Sequence, residues 1–463
     1  RPSLHHYEAE TRHNNLNIIL HTFFSMSITT GLRATLIAIP LLGLTAQAEE
    51  TDRLWSYSDC VEYARANNIS LRQSLLSEET AAISLEKAKG QWQPSLDFGT
   101  NQGYSNAPWS NGSSNAYTSS YNLNASWTVW DGGKRESDIR RNKTDVERSR
   151  YATDNVMRNI RTELLSTYIN ILYCKETISI NSQLAEVSRA QADRAKQMME
   201  SGKISLVDYQ QLETQAEQDR YNVVSATAQL NSARLQLKNL LELGIDSNID
   251  ILPYNFTEND VLADLPPKDE SYQLALNTDA LMRYNELSTQ MADEDIKAAR
   301  SSGYPQLSLG AGVGTGYYTN SSGNWGTQMK QGFNENIGLT VSVPIFDRKT
   351  TKTAVAQAKV NKLSSQLDLE SRRIEVAQTL ESWYIDMESS RMRYTAGLQS
   401  LKSAQLSDEL ANEKFKVGYV EPTELLQSHS ALVEAQRELI QAKYMAVLAR
   451  KMVEFLRTGT VTL

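Results

Sequence analysis

The sequence predicts a mainly α chain with a membrane β-barrel portion, internally duplicated, each protomer supplying four β-strands and long α-helices. One observation is a strand running into a helix. Ile337, Leu339, Val341, Val343 and Ile345 alternate with Gly338, Thr340, Ser342 and Pro344, the two-residue period of a strand with one apolar and one polar face. After Asp347 the alternation stops. Roughly 70 residues follow without Pro and almost without Gly, rich in Ala, Gln, Leu and Lys, the composition of a very long helix. Asp347 is placed to cap that helix. A second observation is the same passage upstream, at Trp127-Thr128-Val129-Trp130-Asp131-Gly132-Gly133. The third is spacing: Asp131 to Gly202 and Asp347 to Gly418 are both 71 positions, so the halves align without a gap at an offset of 216. That period is far too long for a solenoid.

Residues 1–48 read as an upstream segment and signal peptide. Leu32–Thr45 is apolar, Arg33 stands near its start and Ala46-Gln47-Ala48 forms a small-x-small cleavage site. Met26 fits the start of this leader, and no Cys follows the cleavage site to take a lipid anchor. The apolar run is too short to span a membrane as a helix, and no later segment has 18 apolar residues in a row. Beyond residue 48 the chain has 44 basic and 53 acidic residues, a net charge of −9. An acidic exported chain argues against nucleic acid as a partner. Cys60 and Cys174 read as separate packing residues rather than a pair. Four of the five histidines (His5, His6, His13, His21) precede the mature chain, leaving His429, read as a seam or solvated residue rather than a general base. With no Cys/His cluster, phosphate-cradling loop or nucleophile motif, an enzyme, a metal site and a cofactor are all disfavoured.

The first repeat is expected at 49–243. A helix runs from Ser58 to about Gln91 and is ended by Pro94. A strand covers Ser95 to Tyr104, and Ala107–Tyr117 is a polar loop. In the next strand Tyr121, Leu123, Ala125, Trp127 and Val129 alternate with Asn122, Asn124, Ser126 and Thr128, an outward apolar stripe against an inward polar one. A helix over 131–201 is broken by Gly202, and Ser205 or Asp208 caps a second helix to about Leu243. Residues 244–272, with Pro253, Pro266 and Pro267, form an irregular connector. The second repeat, 273–457, follows the same plan: a helix from about Asn277 to Ser302, then Leu307, Leu309, Ala311, Val313 and Thr315 alternating with Ser308 and three glycines. Glycines on the inner side fit a crowded lumen. A polar loop over Thr319–Gly332 precedes the fourth strand, and a long helix reaches Val417. After Gly418 a final helix runs to about Arg457, before the tail 458–463. Leu425, Leu432, Leu439, Ala446 and Val453 recur every seven residues, with Ala435, Ala442, Ala449 and Leu456 three positions on, an a/d seam of small residues. Helices 58–91 and 205–243, stacked end to end, match the length of 131–201.

The outward-facing positions expected to meet outer-membrane lipid are Tyr121, Leu123, Trp127, Val129, Leu307, Leu309, Ile337, Leu339, Val341 and Val343. Four strands cannot close a barrel, since about eight is the minimum, and open edges in lipid cost several kcal/mol per unpaired group. The chain must associate; a dimer gives eight strands and a trimer twelve, and the residues alone leave both open. A barrel-anchored trimeric coiled-coil adhesin is a competing reading, but strands interrupt both halves, tying each helical tract to the barrel.

Val343-Pro344-Ile345-Phe346-Asp347, its partner Val129–Gly133, and the turns Met199–Ser205 and Phe415–Glu421 closely resemble the TolC family of outer-membrane efflux channels over about Trp55 to Leu456. The resemblance implies a homotrimer whose 12-stranded β-barrel continues as a 12-helix periplasmic tunnel and binds no cofactor. It implies docking of the tunnel tip on a periplasmic adaptor (membrane fusion) protein and an inner-membrane pump, and export of drugs, bile salts, metals or proteins. Gly202, Lys203, Ile204, Ser205, Gly418, Tyr419 and Val420 then form the adaptor-docking tip. Asp208, Phe415, Glu424 and Gln427 fall at the aperture or gate. The sequence departs from the family's closing lock: Val420 stands at the arginine position, Phe415 at the tyrosine position and Gln427 at a second aperture acid. Apolar packing of Phe415 and Val420 is the expected substitute.

Overall fold

The computed structural model describes residues 54–109, 115–244, 246–461 and 463; the expected leader and positions 110–114 of the first polar loop lie outside them. After the short strand β1 (Leu54–Trp55), Ser56 and Asp59 form a reciprocal capping box that starts α1 (Tyr57–Asn67). The single helix expected over 58–91 is two. Asn68 takes an extended backbone (ψ 126°), and its side chain accepts from Leu71 N at 3.1 Å to begin α2 (Ile69–Gly90). The same side chain donates to Leu240 O at 3.2 Å, so a tertiary contact fixes the break.

β2 (Ser95–Asn106) and β3 (Asn115–Trp130) lead into α3 (Lys134–Glu200) and, after the turn at Gly202, α4 (Leu206–Leu241). The connector expected to be irregular holds β4 (Asp250–Ile251), parallel to β1, then α5 (Glu258–Leu262) and the start of α6 (Lys268–Thr278). Asp279 repeats the device of Asn68: extended backbone (ψ 114°) and a carboxylate accepting from Met282 N at 2.9 Å, which opens α7 (Ala280–Ser301). β5 (Gln306–Tyr318) follows. The second polar loop contains an unexpected helix, α8 (Trp325–Gln331), before β6 (Asn334–Ser342). β5 outruns β6 beyond Gly314, and α8 satisfies that free edge: Gln328 Oε1 accepts from Tyr318 N at 3.0 Å, and Thr315 Oγ1 donates to Met329 O at 2.6 Å. The chain closes with α9 (Thr350–Lys416) and α10 (Pro422–Thr458).

α3 and α9 are each 67 residues long and start 216 positions apart; at about 1.5 Å per residue each spans on the order of 100 Å. Near the sheet the helices pack in the order α2–α3–α7–α9, and further down α4–α3–α10–α9, so the helical wall is four helices wide at both levels. Ion pairs mark the neighbours: Arg150–Glu78 joins α3 to α2, Arg140–Glu294 joins α3 to α7, Lys362–Asp293 joins α9 to α7, and Arg189–Glu213 joins α3 to α4. The main core lies where α1, α3, α4, α10 and the β1/β4 pair meet, around Cys60, Leu164, Leu165, Ile171, Leu237, Leu241, Ile251 and Ala446. Both cysteines are buried and free. The final helix buries most of its seam: Leu425, Leu432, Ala435, Ala442, Ala446, Ala449 and Val453 are buried, and Leu439 and Leu456 half-buried.

Candidate channel wall and tunnel tip

The four main strands form one antiparallel sheet in the order β2–β3–β5–β6. Its register sorts the side chains. Phe98 pairs Leu123, which pairs Val313; Trp127 pairs Leu309, which pairs Leu339; Leu307 pairs Val341; and Ala311 pairs Ile337. Tyr121, opposite Thr100 and Thr315, continues this face. Asn122, Asn124, Ser126, Ser308, Asn336 and Thr340 occupy the other face by the same register. The apolar face is open, with Ile337 78% and Leu339 64% exposed, whereas an ordinary sheet buries its apolar side. On the polar face a Cβ at Gly312 would lie 2.7–2.8 Å from Asn336 Oδ1 and Asn124 Oδ1, so asparagines of both neighbouring strands fill the space that the glycine leaves.

Two of the positions expected to meet lipid fall outside the regular ladder. A bulge between Thr128 and Trp130 sets Trp130, not Val129, opposite Leu307, because the extra residue of a bulge is left unpaired. Val343 lies beyond the end of β6, where Pro344 supplies no N–H to extend the ladder.

The strand-to-helix junctions share a left-handed pair of residues: Gly132 and Gly133 (φ 73° and 86°) in the first, Arg348 and Lys349 (φ 51° and 68°) in the second. Asp347, the expected cap, and its counterpart Asp131 sit just outside their helices and still serve the first turn. Asp131 Oδ2 accepts from Arg135 N at 3.1 Å, and Asp347 Oδ2 from Thr351 N at 2.8 Å. Arg135, unmarked in the sequence reading, is buried here. It donates to Asp131, Gln91 O and Val129 O and lies 4.3 Å over the Trp92 ring. Thr351, the residue at the equivalent position, has no such reach.

At the far end the two reversals have one geometry. Gly202 (φ 72°) N donates to Met199 O and Lys203 N to Met198 O; Gly418 (φ 75°) N donates to Phe415 O and Tyr419 N to Lys414 O. These paired bonds close a helix through a left-handed residue, which favours glycine. Lys203, Ser205 and Tyr419 are exposed, and Ile204 and Val420 half-buried. Ser205 and Asp208 form a capping box at the start of α4, so the Asp208 carboxylate is occupied with Ser205 N (3.0 Å) and Oγ (2.8 Å). Glu424 is exposed and stands 3.6 Å from Lys414 Nζ; Gln427 is exposed. Phe415 is 1% exposed and packs with Ala195, Leu212, Ala411 and Leu425, one cluster drawn from all four lower helices. Val420, half-buried, is not among the residues packed with Phe415 in that cluster.

About three turns above Gly418, a feature without a sequence signal appears. His429 is 1% exposed, its Nε2 2.8 Å from Asp219 Oδ2 of α4 and its Nδ1 4.0 Å from Asp408 Oδ1 of α9. Burial raises the Asp408 carboxyl above its ordinary range, opposed by the neighbouring His429, Ser428 and Asn412.

An exposed apolar sheet face continuous with helices of this length fits a sheet set in lipid and carried on a long helical wall. Residues 60–242 and 271–456 match the outer membrane efflux protein family, and the chain belongs to it. It is 25% identical over 421 residues to outer membrane protein TolC of Escherichia coli K12, covering 88% of this chain and 82% of that one. It is 21% identical to the outer membrane efflux protein BepC of Brucella suis, covering 88% and 85%. The fold superposes on the CmeC outer membrane channel of Campylobacter jejuni with a TM-score of 0.74 at 19% identity, covering 91% and 92%. The protein is thus an efflux or secretion channel of a family of channel proteins.

Proposed function

We propose that three copies of this chain close their four-stranded sheets into one 12-stranded barrel in the outer membrane. Their helices continue it as a 12-helix tunnel, and the tunnel tip engages a periplasmic adaptor and an inner-membrane pump in a tripartite efflux or type I secretion system. The observation that carries this reading is the sheet. Its apolar residues are gathered by register on one open face, and β2 and β6 each keep an edge with no strand partner among the described residues. In hydrocarbon an unpaired edge is costly, so β2 of one copy completes β6 of the next. The four-helix width of the wall at both levels supports twelve helices in the tunnel.

The chain then divides into two repeats, 49–243 and 273–457, joined by a connector at 244–272 and followed by the tail 458–463. Gly202, Lys203, Ile204, Ser205, Gly418, Tyr419 and Val420 form the surface offered to the adaptor. Asp208, Phe415, Glu424 and Gln427 lie around the aperture, where three exposed Glu424 carboxylates favour cations.

Purification from outer membranes in detergent, with mass measured by sedimentation and conductance in planar bilayers, tests the assembly. A trimeric channel is expected; a dimer, or a water-soluble monomer, overturns it. Loss of adaptor co-purification by Tyr419→Asp, with the trimer intact, tests the docking tip. Cleavage of the 202 and 418 turns by protease outside intact cells would instead place the helices outside, as in an adhesin.

A further inference from the structure

The lower wall consists of two hairpins, α3–α4 and α9–α10, packed far more extensively within each hairpin than between them. Across the seam between hairpins runs a buried polar chain. Gln215 Nε2 donates to Asp219 Oδ1 (3.0 Å), and Asp219 Oδ2 meets His429 Nε2 (2.8 Å). His429 Nδ1 faces Asp408 Oδ1 (4.0 Å), Asp408 Oδ2 accepts from Asn412 Nδ2 (2.8 Å), and Asn412 Oδ1 accepts from Gln191 Nε2 (2.5 Å). All four helices contribute. Among the described residues, His429 Nδ1 and Asp408 Oδ1 have no hydrogen-bond partner.

The chemistry of that pair is decisive. A neutral imidazole has one N–H to share between two carboxylates, Asp219 across the seam and Asp408 within the hairpin. Whichever ring nitrogen lacks the proton sets a lone pair against a carboxylate oxygen in a buried site, which is unfavourable, and with the proton on Nδ1 it is the bond to Asp219 across the seam that is lost. One further proton, on Nδ1 or on Asp408, converts the repulsion into attraction.

We propose that His429 is a positioning residue for the tunnel end: it ties hairpin α9–α10 to α4 while the His429–Asp408 pair holds that proton, and frees the seam when the proton leaves. This rests on the channel reading above. The groups facing the pair are Asp219 and Gln215 from α4, Gln191 from α3, Asn412 from α9 and Ser428 from α10. Arg194, Glu409, Glu413 and Lys416 line the adjoining groove and are exposed, so solvent screens them. Because folding raises the Asp408 carboxyl, its stabilising effect is complete below the ordinary carboxylate range. It is lost as pH rises through the raised value. Acid holds the seam; alkali releases it.

The test uses the full-length protein, wild type beside Asp408→Asn and His429→Gln, between about pH 5 and about pH 9. Single-channel conductance of the wild type is expected to rise severalfold with pH. Asp408→Asn, whose amide donates to Nδ1 at every pH, stays low, and His429→Gln loses the pH response. Spin labels on exposed Gln218 and Gln427 provide a readout independent of pore formation: their separation widens with pH in the wild type and not in Asp408→Asn. A label distance that does not change with pH, or an Asp408→Asn profile matching the wild type, overturns the proposal. Absence of any conductance, with the label distance still responding, counts against the channel reading and not against the tie.

Discussion

Arg135 reaches four residues back to Asp131, its Nε 3.1 Å from Oδ2, and with its two remaining nitrogens binds Gln91 O and Val129 O. One side chain thereby fastens the end of α2, the end of β3 and the start of α3. Truncating one partner of a buried charge pair strands the other, at a cost of about 3–5 kcal/mol. Arg135→Ala is therefore expected to lower the unfolding temperature sharply in detergent. Lys134→Ala, next in sequence and more than half exposed in its pair with Asp138, should cost about 0–1 kcal/mol. Equal losses would remove the special role of Arg135.

The second junction has no counterpart of Arg135 and carries strain that the first avoids. Arg348 and Lys349 adopt the left-handed backbone that Gly132 and Gly133 adopt freely. For residues with a Cβ this costs about 1–2 kcal/mol each. Arg348→Gly is expected to raise the unfolding temperature slightly. Gly132→Ala should lower it more than backbone strain alone, because the new Cβ would lie 2.8 Å from Ser301 O and 2.9 Å from Tyr304 Cβ.

These junctions also show what the sequence discloses. Helix length, the tip reversals and the two faces of the sheet were legible because each rests on a local rule: a 3.6- or two-residue period, or glycine at a left-handed position. What was hidden depends on partners distant in the chain. Asn68 breaks a helix without Pro or Gly because Leu240 O holds its side chain. α8 forms because the free edge of β5 needs donors and acceptors. The bulge that gives Trp130 the place of Val129 is a two-strand property. Asp219, Asp408 and His429 lie as far as 210 positions apart, and no spacing rule connects them.

Cys60 sits in the main core, where burial, then the nearby Asp59 charge, pushes its thiol up to about 12. The thiolate is the reactive form, so maleimide is expected to leave Cys60 unmodified in the folded protein even at about pH 9, and to modify it once denaturant is added. The sign for stability follows: the unfolded chain ionises this thiol first, so stability falls as pH rises from about 9 toward 12. Reductant should leave the unfolding temperature unchanged, because both cysteines are free. A shift on reduction would reveal a bond between Cys60 and Cys174.

Leu339 and Thr340 are adjacent in β6 and point to opposite faces, Leu339 opposite Leu309 and Thr340 opposite Ser308. If the apolar face meets lipid, a lysine there carries its charge into hydrocarbon at about 2–4 kcal/mol near the bilayer midplane, in each copy of the assembly. Leu339→Lys is expected to deplete the assembled protein from the outer membrane. Thr340→Lys places the same charge on the polar face, where water solvates it. Assembly should survive, and the zero-current potential in a salt gradient should move toward anion selectivity. The pair isolates facing from every other property, since residue type, strand and depth are shared to within one position. Equal depletion by both substitutions would mean that the polar face does not line a water-filled lumen.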